Sequence, residues 1–196
     1  VASVANDGTV NINGTGTAVI TITAAREGDY AVAEKKVTVT VNKASQVITG
    51  SGTVTKTFAV ESFKLNVAAK TAMSYSSSNA KILTVAKDGT VTMKNPGTAT
   101  ITVKAAETNQ YKPATKQVKV TVKLVKPDLE ATAIGNKKVK LRWTQVYGAT
   151  NYQVYMYNSV KKKYVLKATG SSTSGSFIYK GVKGKTYKFK VRAYRT

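Results

Sequence analysis

The side chains able to do chemistry fall into two groups, a few acids and a large excess of cations interleaved with tyrosine. Nine carboxylates stand against 31 lysines and arginines, and neither histidine nor cysteine occurs. Without histidine, the usual general base near neutral pH, a Ser-His-Asp triad and the commonest zinc ligand are all missing. Without cysteine there is no thiolate nucleophile, no thiolate metal site and no disulfide framework. Carboxylate pairs remain, because glycosidases need two acids about 5–10 Å apart. Asp7 and Asp88, however, each precede a glycine between alternating apolar stretches and read as turn residues. Glu27 and Asp29 share a loop and could help ligate calcium, which takes about six to eight oxygens. Their counterparts in the repeat described below are Thr108 and Gln110, so no metal site belongs to the module. No residue is assigned to catalysis, to a cofactor or to a metal, and the chain is expected not to be an enzyme.

The cations make the sharper candidate. Tyr155 and Tyr157 alternate with Val154 and Met156, and Lys188, Lys190, Arg192 and Tyr194 alternate with Phe189, Val191 and Ala193. If the apolar set points inward, then Tyr155, Tyr157, Lys188, Lys190, Arg192 and Tyr194 point outward, and they share one face wherever the two strands are neighbours. Cations there can pair with sulfates, phosphates or carboxylates, and rings can stack on sugars or bases. Lys161-Lys162-Lys163 falls in an adjoining loop. The competing reading is a solvated sheet face, on which tyrosine, lysine and threonine are ordinary.

Such residues need strands to hold them, and strands are what the sequence specifies. Val4–Asn42 returns 81 residues later as Val85–Lys123 without a gap, and internal repeats govern how everything else is read. The shared skeleton runs Val-Ala-x-Asp-Gly-Thr-Val, Gly-Thr-Ala-x-Ile-Thr, Ala-Ala, a lone tyrosine (Tyr30 and Tyr111) and Lys-x-Val-x-Val-Thr-Val. Alternation of Val, Ile and Thr, as in Val37–Val41 and Val118–Val122, means half-buried strands. Asp7-Gly8 and Asp88-Gly89 are expected to supply positive φ for tight hairpins. In the complete repeat, strands are expected near 46–49, 54–58, 63–68, 72–76, 82–86, 90–94, 98–106 and 115–123. Tyr30 and Tyr111 are expected to pack their rings and keep their hydroxyls wet.

Three modules follow: 1–43, the C-terminal half of a sandwich; 44–125, a complete one; and 126–196, opened by Lys126-Pro127-Asp128. In the last, Val139, Leu141 and Trp143, then Tyr152, Val154 and Met156, then Tyr187, Phe189, Val191 and Ala193 form the inner face, and a final strand is lacking. The chain reads as a window on a longer protein. The net charge of +22 is unevenly spread. Residues 1–43 balance four bases against four acids, 44–125 hold eleven against three, and from Lys126 onward sixteen stand against Asp128 and Glu130 alone. Such a field draws polyanions, among them wall teichoic acids, sulfated or sialylated glycans, anionic membrane surfaces and nucleic acid. No apolar run approaches the roughly 20 residues that cross a bilayer.

Residues 46–123 carry Ser76-Ser77-Ser78-Asn79, Val85-Ala86-Lys87-Asp88-Gly89-Thr90-Val91 and Gly97-Thr98-Ala99-Thr100-Ile101-Thr102-Val103. They resemble the bacterial immunoglobulin-like group 2 domain, and residues 1–43 resemble its C-terminal half. Residues 129–196 resemble a fibronectin type III domain through Trp143, Gly148–Val154 and Gly184–Ala193, with Tyr187 as its corner tyrosine. The resemblance implies an all-β fold of tandem immunoglobulin-like antiparallel β-sandwiches. It also implies placement outside the cell, on a Gram-positive surface, in the wall or secreted, as stalk and adhesion modules. The implied partners are anionic glycans, teichoic acid or host surface glycoproteins, with nucleic acid the least favoured. The alternative is an accessory spacer or carbohydrate-binding region of a large secreted glycoside hydrolase or peptidase.

Overall fold

The computed structural model describes residues 1–171 and 175–196, and within them the chain is all-β, with no helix. In the first repeat copy the strands are β1 (Ala2–Val4), β2 (Val10–Ile12), β3 (Gly16–Ala24) and β4 (Ala33–Val41). Then come β5 (Thr49–Gly50), β6 (Thr53–Thr57), β7 (Phe63–Lys64), β8 (Val67–Ala68), β9 (Met73–Ser77), β10 (Leu83–Val85), β11 (Thr90–Met93), β12 (Gly97–Ala105) and β13 (Ala114–Lys123). The last are β14 (Leu129–Ala133), β15 (Lys138–Trp143), β16 (Asn151–Asn158), β17 (Lys163–Ser171), β18 (Ser176–Lys180) and β19 (Phe189–Tyr194). The sheets are β1-β2, β3-β4, β5-β8, β10-β11-β7, β6-β13-β12-β9, β14-β15-β18 and β17-β16-β19. This is the tandem β-sandwich architecture expected from the alternation, with one departure: β6 runs parallel to β13, Val54 opposite Val120.

Two compact units divide the chain. One holds Val1–Ser51, Asn66–Tyr75 and Thr102–Lys116. In it the hairpins β1-β2 and β3-β4 leave Val10, Ile12, Val19 and Ile22 exposed, and no residue of 1–43 is fully buried. Tyr30 is 81% exposed, so its ring does not pack as expected, whereas Tyr111 is half-buried and its backbone bridges Ala44. Gln46 ties this region down through one side-chain amide that donates to Thr71 Oγ1 and to the carbonyls of Ala106 and Lys112. The strand expected at 46–49 shrinks to Thr49–Gly50, which pairs with β8. Lys43 Nζ meets Glu107 Oε1 at 2.5 Å.

The other unit holds Gly52–Leu65, Ser76–Ile101 and Gln117–Thr196. Leu83, Val91, Ile101, Val118 and Val120 are completely buried there. A separate core gathers Leu141, Trp143, Val146, Tyr152, Val154 and Val191, with Leu124, Leu129, Phe177 and Phe189 packed against it. Trp143 and Tyr152 lie with ring centroids 5.7 Å apart, and the buried Tyr152 hydroxyl accepts the Val146 N–H at 2.7 Å. Tyr187 falls outside β19, which begins two residues later than the alternation suggests. Its ring is drawn into a cluster with Tyr179 and Phe189, and its hydroxyl accepts the Val182 N–H at 2.9 Å.

The Asp-Gly turns close differently from a two-residue hairpin. Only the glycines have positive φ, 84° at both Gly8 and Gly89. Gly8 N–H donates to Ala5 O and Ala5 N–H to Thr9 O, as Gly89 and Ala86 do in the second copy, which makes a three-residue loop ending in a left-handed glycine. The aspartates instead accept the N–H of Thr9 and of Thr90, at 2.9 and 3.0 Å. Those bonds favour the ionised form and hold both carboxyls below their ordinary 3.8. A depressed folded-state value contributes stability that is full above 3.8 and is lost as pH falls through the folded-state value. The thermal midpoint is therefore expected to drop on acidification below that point, and Asp7→Asn with Asp88→Asn should flatten the drop. An acid slope unchanged by the two substitutions would show that these turns do not contribute to it.

Candidate ligand-binding face

The sheet β17-β16-β19 brings the expected residues together because β16 is its middle strand. Tyr152 and Val154 are buried and Met156 is half-buried, which commits Gln153, Tyr155 and Tyr157 to the other face. Along β19, Arg192 lies opposite Gln153 and Lys190 opposite Tyr155. Lys188 precedes the strand, but its carbonyl still accepts the Tyr157 N–H at 2.8 Å, so the pairing extends to it. Tyr194 lies opposite Asn151 at the far end of the sheet.

The centre of the face is Lys190. Its ammonium stands 5.1 Å from the centre of the Tyr155 ring and 4.4 Å from that of Tyr164. A cation over a ring at such distances is worth about 0.5–1 kcal/mol at an exposed site. Tyr164 also meets Tyr157 edge to face at 5.3 Å, so Tyr155, Tyr157, Tyr164 and Lys190 form one cluster. The Tyr155 hydroxyl is oriented by donating to Gln153 Oε1 at 2.7 Å. Tyr164 is absent from the sequence-derived set, although a signal for it exists. The β16-β17 hairpin pairs Asn158 with Lys163 and hence Tyr157 with Tyr164. Reading that hairpin requires Lys162 to sit at φ 48° in the turn, which a lysine run does not announce. The register then slips beside Val154 and Tyr155, where β17 passes from Leu166 to Ala168 and leaves Lys167 exposed and unpaired in the ladder, as a β-bulge does.

A groove of about 1000 Å³ runs along β19, bounded by Lys123, Lys126, Tyr155, Tyr164, Lys190 and Arg192. No acid lines it. Lys161 and Lys162 lie in the β16-β17 turn and Lys163 beside it, next to the Tyr157 and Tyr164 pair, and Asn158 Oδ1 accepts the Lys161 N–H there at 2.9 Å. The arrangement offers fixed cations beside aromatic faces. It can hold an anionic chain with apolar or sugar segments between its charges, and it offers no paired acid and base. Among the described residues no group of three or more acids could hold a metal ion, and no helix is long and apolar enough to cross a membrane.

Comparison with known proteins gives a limited match. A family profile described as intimin, immunoglobulin-like domain, matches residues 62–107, less than half of the chain. No curated protein sequence matches. Solved structures that align with this chain include the immunoglobulin domains 1–5 of Sidekick-1, at 10% identity and a TM-score of 0.36, covering 95% of this chain and 50% of that one. The S-layer protein rSbsC aligns at 17% identity and a TM-score of 0.33, over 100% of this chain and 36% of that one. The fibronectin domains FN1–FN3 of chicken CNTN1 align at 12% identity and a TM-score of 0.32, over 96% and 86%. The chain thus spans half of the Sidekick-1 structure and about a third of the S-layer protein. Residues 62–107 are thus similar to an immunoglobulin-like domain, within an all-β chain of tandem sandwiches.

Proposed function

We propose that this chain is a non-catalytic extracellular segment of a larger bacterial surface protein. Its modules, a group 2 immunoglobulin-like half (1–43), a complete copy (44–125) and a fibronectin type III-like module (126–196), act as stalk and adhesion units. The basic, tyrosine-lined face of β17-β16-β19 binds anionic glycans or wall polymers such as teichoic acid. The observation that carries this reading is Lys190 held over Tyr155 and Tyr164 on a face without acids. The Tyr187 hydroxyl, bonded to backbone five residues upstream, supports the fibronectin-like assignment, since sandwiches of this type tie a corner with such a tyrosine.

The full chain is expected to be retained on immobilised wall teichoic acid at low salt and to elute as salt rises, because exposed charge pairs are screened. Lys188→Ser, Lys190→Ser and Arg192→Ser together should weaken retention, so that the chain elutes at lower salt, with the fold kept. Retention equal to that of the unaltered chain would remove the site from this face.

A further inference from the structure

The opposite sheet of the 126–196 module is basic as well, and the reading above leaves it unused. On β15 the side chains of Leu141 and Trp143 are buried and Val139 packs against them, so Lys138, Lys140 and Arg142 occupy the other face. On β18 Phe177 packs against the same core, while Ser176, Ile178 and Lys180 are exposed. The register places Lys138 directly opposite Lys180, Lys140 opposite Ile178, and Arg142 opposite Ser176. On the other flank Lys140 faces Thr132 and Arg142 faces Glu130.

Like charges directly opposite each other in a sheet destabilise it. Lys138 and Lys180 are in that position, and among the described residues no carboxylate comes within ion-pair distance of Lys138, Lys140, Arg142 or Lys180. The only acid among the strand residues of this face is Glu130, at one end. The face therefore carries repulsion that a bound anion would relieve. Alternate residues on a strand repeat every 6–7 Å or so, which makes Lys138, Lys140 and Arg142 a row of evenly spaced cations. Lys190 and Arg192 on β19 follow the same spacing. Ile178, 52% exposed in the middle of the row, offers apolar contact to the uncharged part of a repeating unit. The two sheets share one core, so their outer faces look away from each other.

We propose that the outer face of β14-β15-β18 is a second polyanion site, and that the module bridges two linear polymers bearing phosphate or sulfate, one on each side. The ligand class rests on the reading given for the first face, but the site itself does not.

The test uses the full chain with long wall teichoic acid and, separately, heparin, read by light scattering and by retention on the immobilised polymer. The unaltered chain should cross-link polymer into particles near equivalence and redissolve them in excess polymer. Removing the second face by Lys138→Ser, Lys140→Ser, Arg142→Ser and Lys180→Ser should abolish the particles and leave retention. Removing the first face should do the same, and removing both should abolish retention as well. Arginine at the three lysine positions, 138, 140 and 180, should keep the particles. Cross-linking by either polymer supports the bridge, and the polymer that works names phosphate or sulfate as the anion; cross-linking by neither overturns it. Particles that persist without the second face also overturn it, as does loss of all binding when only the first face is removed, a result that leaves the single-face reading intact. Full retention after loss of the first face, with none after loss of the second, would sink the single-face reading and the bridge alike, leaving one site on the second face.

Discussion

Ile101→Ala is expected to cost about 2–5 kcal/mol, the range for truncating a buried isoleucine. Ile20→Ala, the same change at the matching repeat position, should cost under about 1 kcal/mol, closer to a surface substitution. The two isoleucines sit at the same place in strands of equal length, β3 and β12, each followed by Thr and preceded by Gly-Thr-Ala and one further residue, Val19 in the first copy and Thr100 in the second. Around them the copies agree to the hydrogen bond: Asn13 N–H to Val1 O at 2.9 Å matches Lys94 N–H to Ile82 O at 2.8 Å. Even the cross-strand hydroxyl pair recurs, Thr17 with Thr40 and Thr98 with Thr121. Yet Ile101 is fully buried and Ile20 is not. Hydrogen exchange resolves the two strands separately, because each amide reports its own local opening. Truncation at 101 should accelerate exchange in β12 and β13, and truncation at 20 should barely move β3. Equal effects at the two positions would mean that burial does not distinguish the copies.

Gly148→Ala is expected to destabilise the core around Trp143 and Tyr152 by about 2–4 kcal/mol, from a left-handed backbone imposed on an L-residue and from overpacking. Gly148 has φ 78°, and a Cβ there would run into the Phe58 ring. Phe58 cannot easily yield. It is 8% exposed, stacks on Tyr147 with centroids 5.6 Å apart, and is fixed by its own N–H donating to Lys123 O at 2.7 Å. Trp143 is the one tryptophan and lies in that core, so its fluorescence follows the unfolding. With Phe58→Ala in the background, the alanine at 148 should cost less, and the difference should fall within the roughly 0.5–3 kcal/mol of contacting pairs. Strict additivity would show that the ring and the glycine do not touch in solution.

Much of the candidate face was legible because period-two alternation is a local property. Tyr155, Tyr157, Lys190 and Arg192 could be assigned to one side from the apolar residues between them. The neighbouring strands followed from the fibronectin-like resemblance. Tyr164 escaped, since its place depends on how the chain turns through Ser159–Lys162, where no Asn-Gly or Asp-Gly marks the turn. The strand start at Phe189 was misjudged for a related reason. Alternation runs unbroken through Tyr187, but the bond from Val182 and the rings of Tyr179 and Phe189 hold Tyr187 at a corner. The second basic row was visible in the sequence as Lys138, Lys140 and Arg142. Its charge conflict was not, because the pairing of Lys138 with Lys180 joins positions far apart in the chain.

The sequence by itself determined most of the strands, the places of the Asp-Gly turns and the direction in which each side chain leaves its strand. Those follow from φ and ψ preferences, turn chemistry and a two-residue period, all of which act over a few residues, and the two repeat copies accordingly fold alike. Only the tertiary structure decided which apolar faces are covered. Val10 is 40% exposed while Val91 is fully buried, although each lies between the same Asp-Gly-Thr turn and a following apolar position. Burial depends on strands from elsewhere in the chain, and in the second copy β6, β7 and β9 join the sheets, whereas the first copy's strands stay in two-stranded pairs. The same holds for Lys190. Its outward direction is a matter of alternation, but its place over two tyrosine rings required β17, β16 and β19 to be brought side by side.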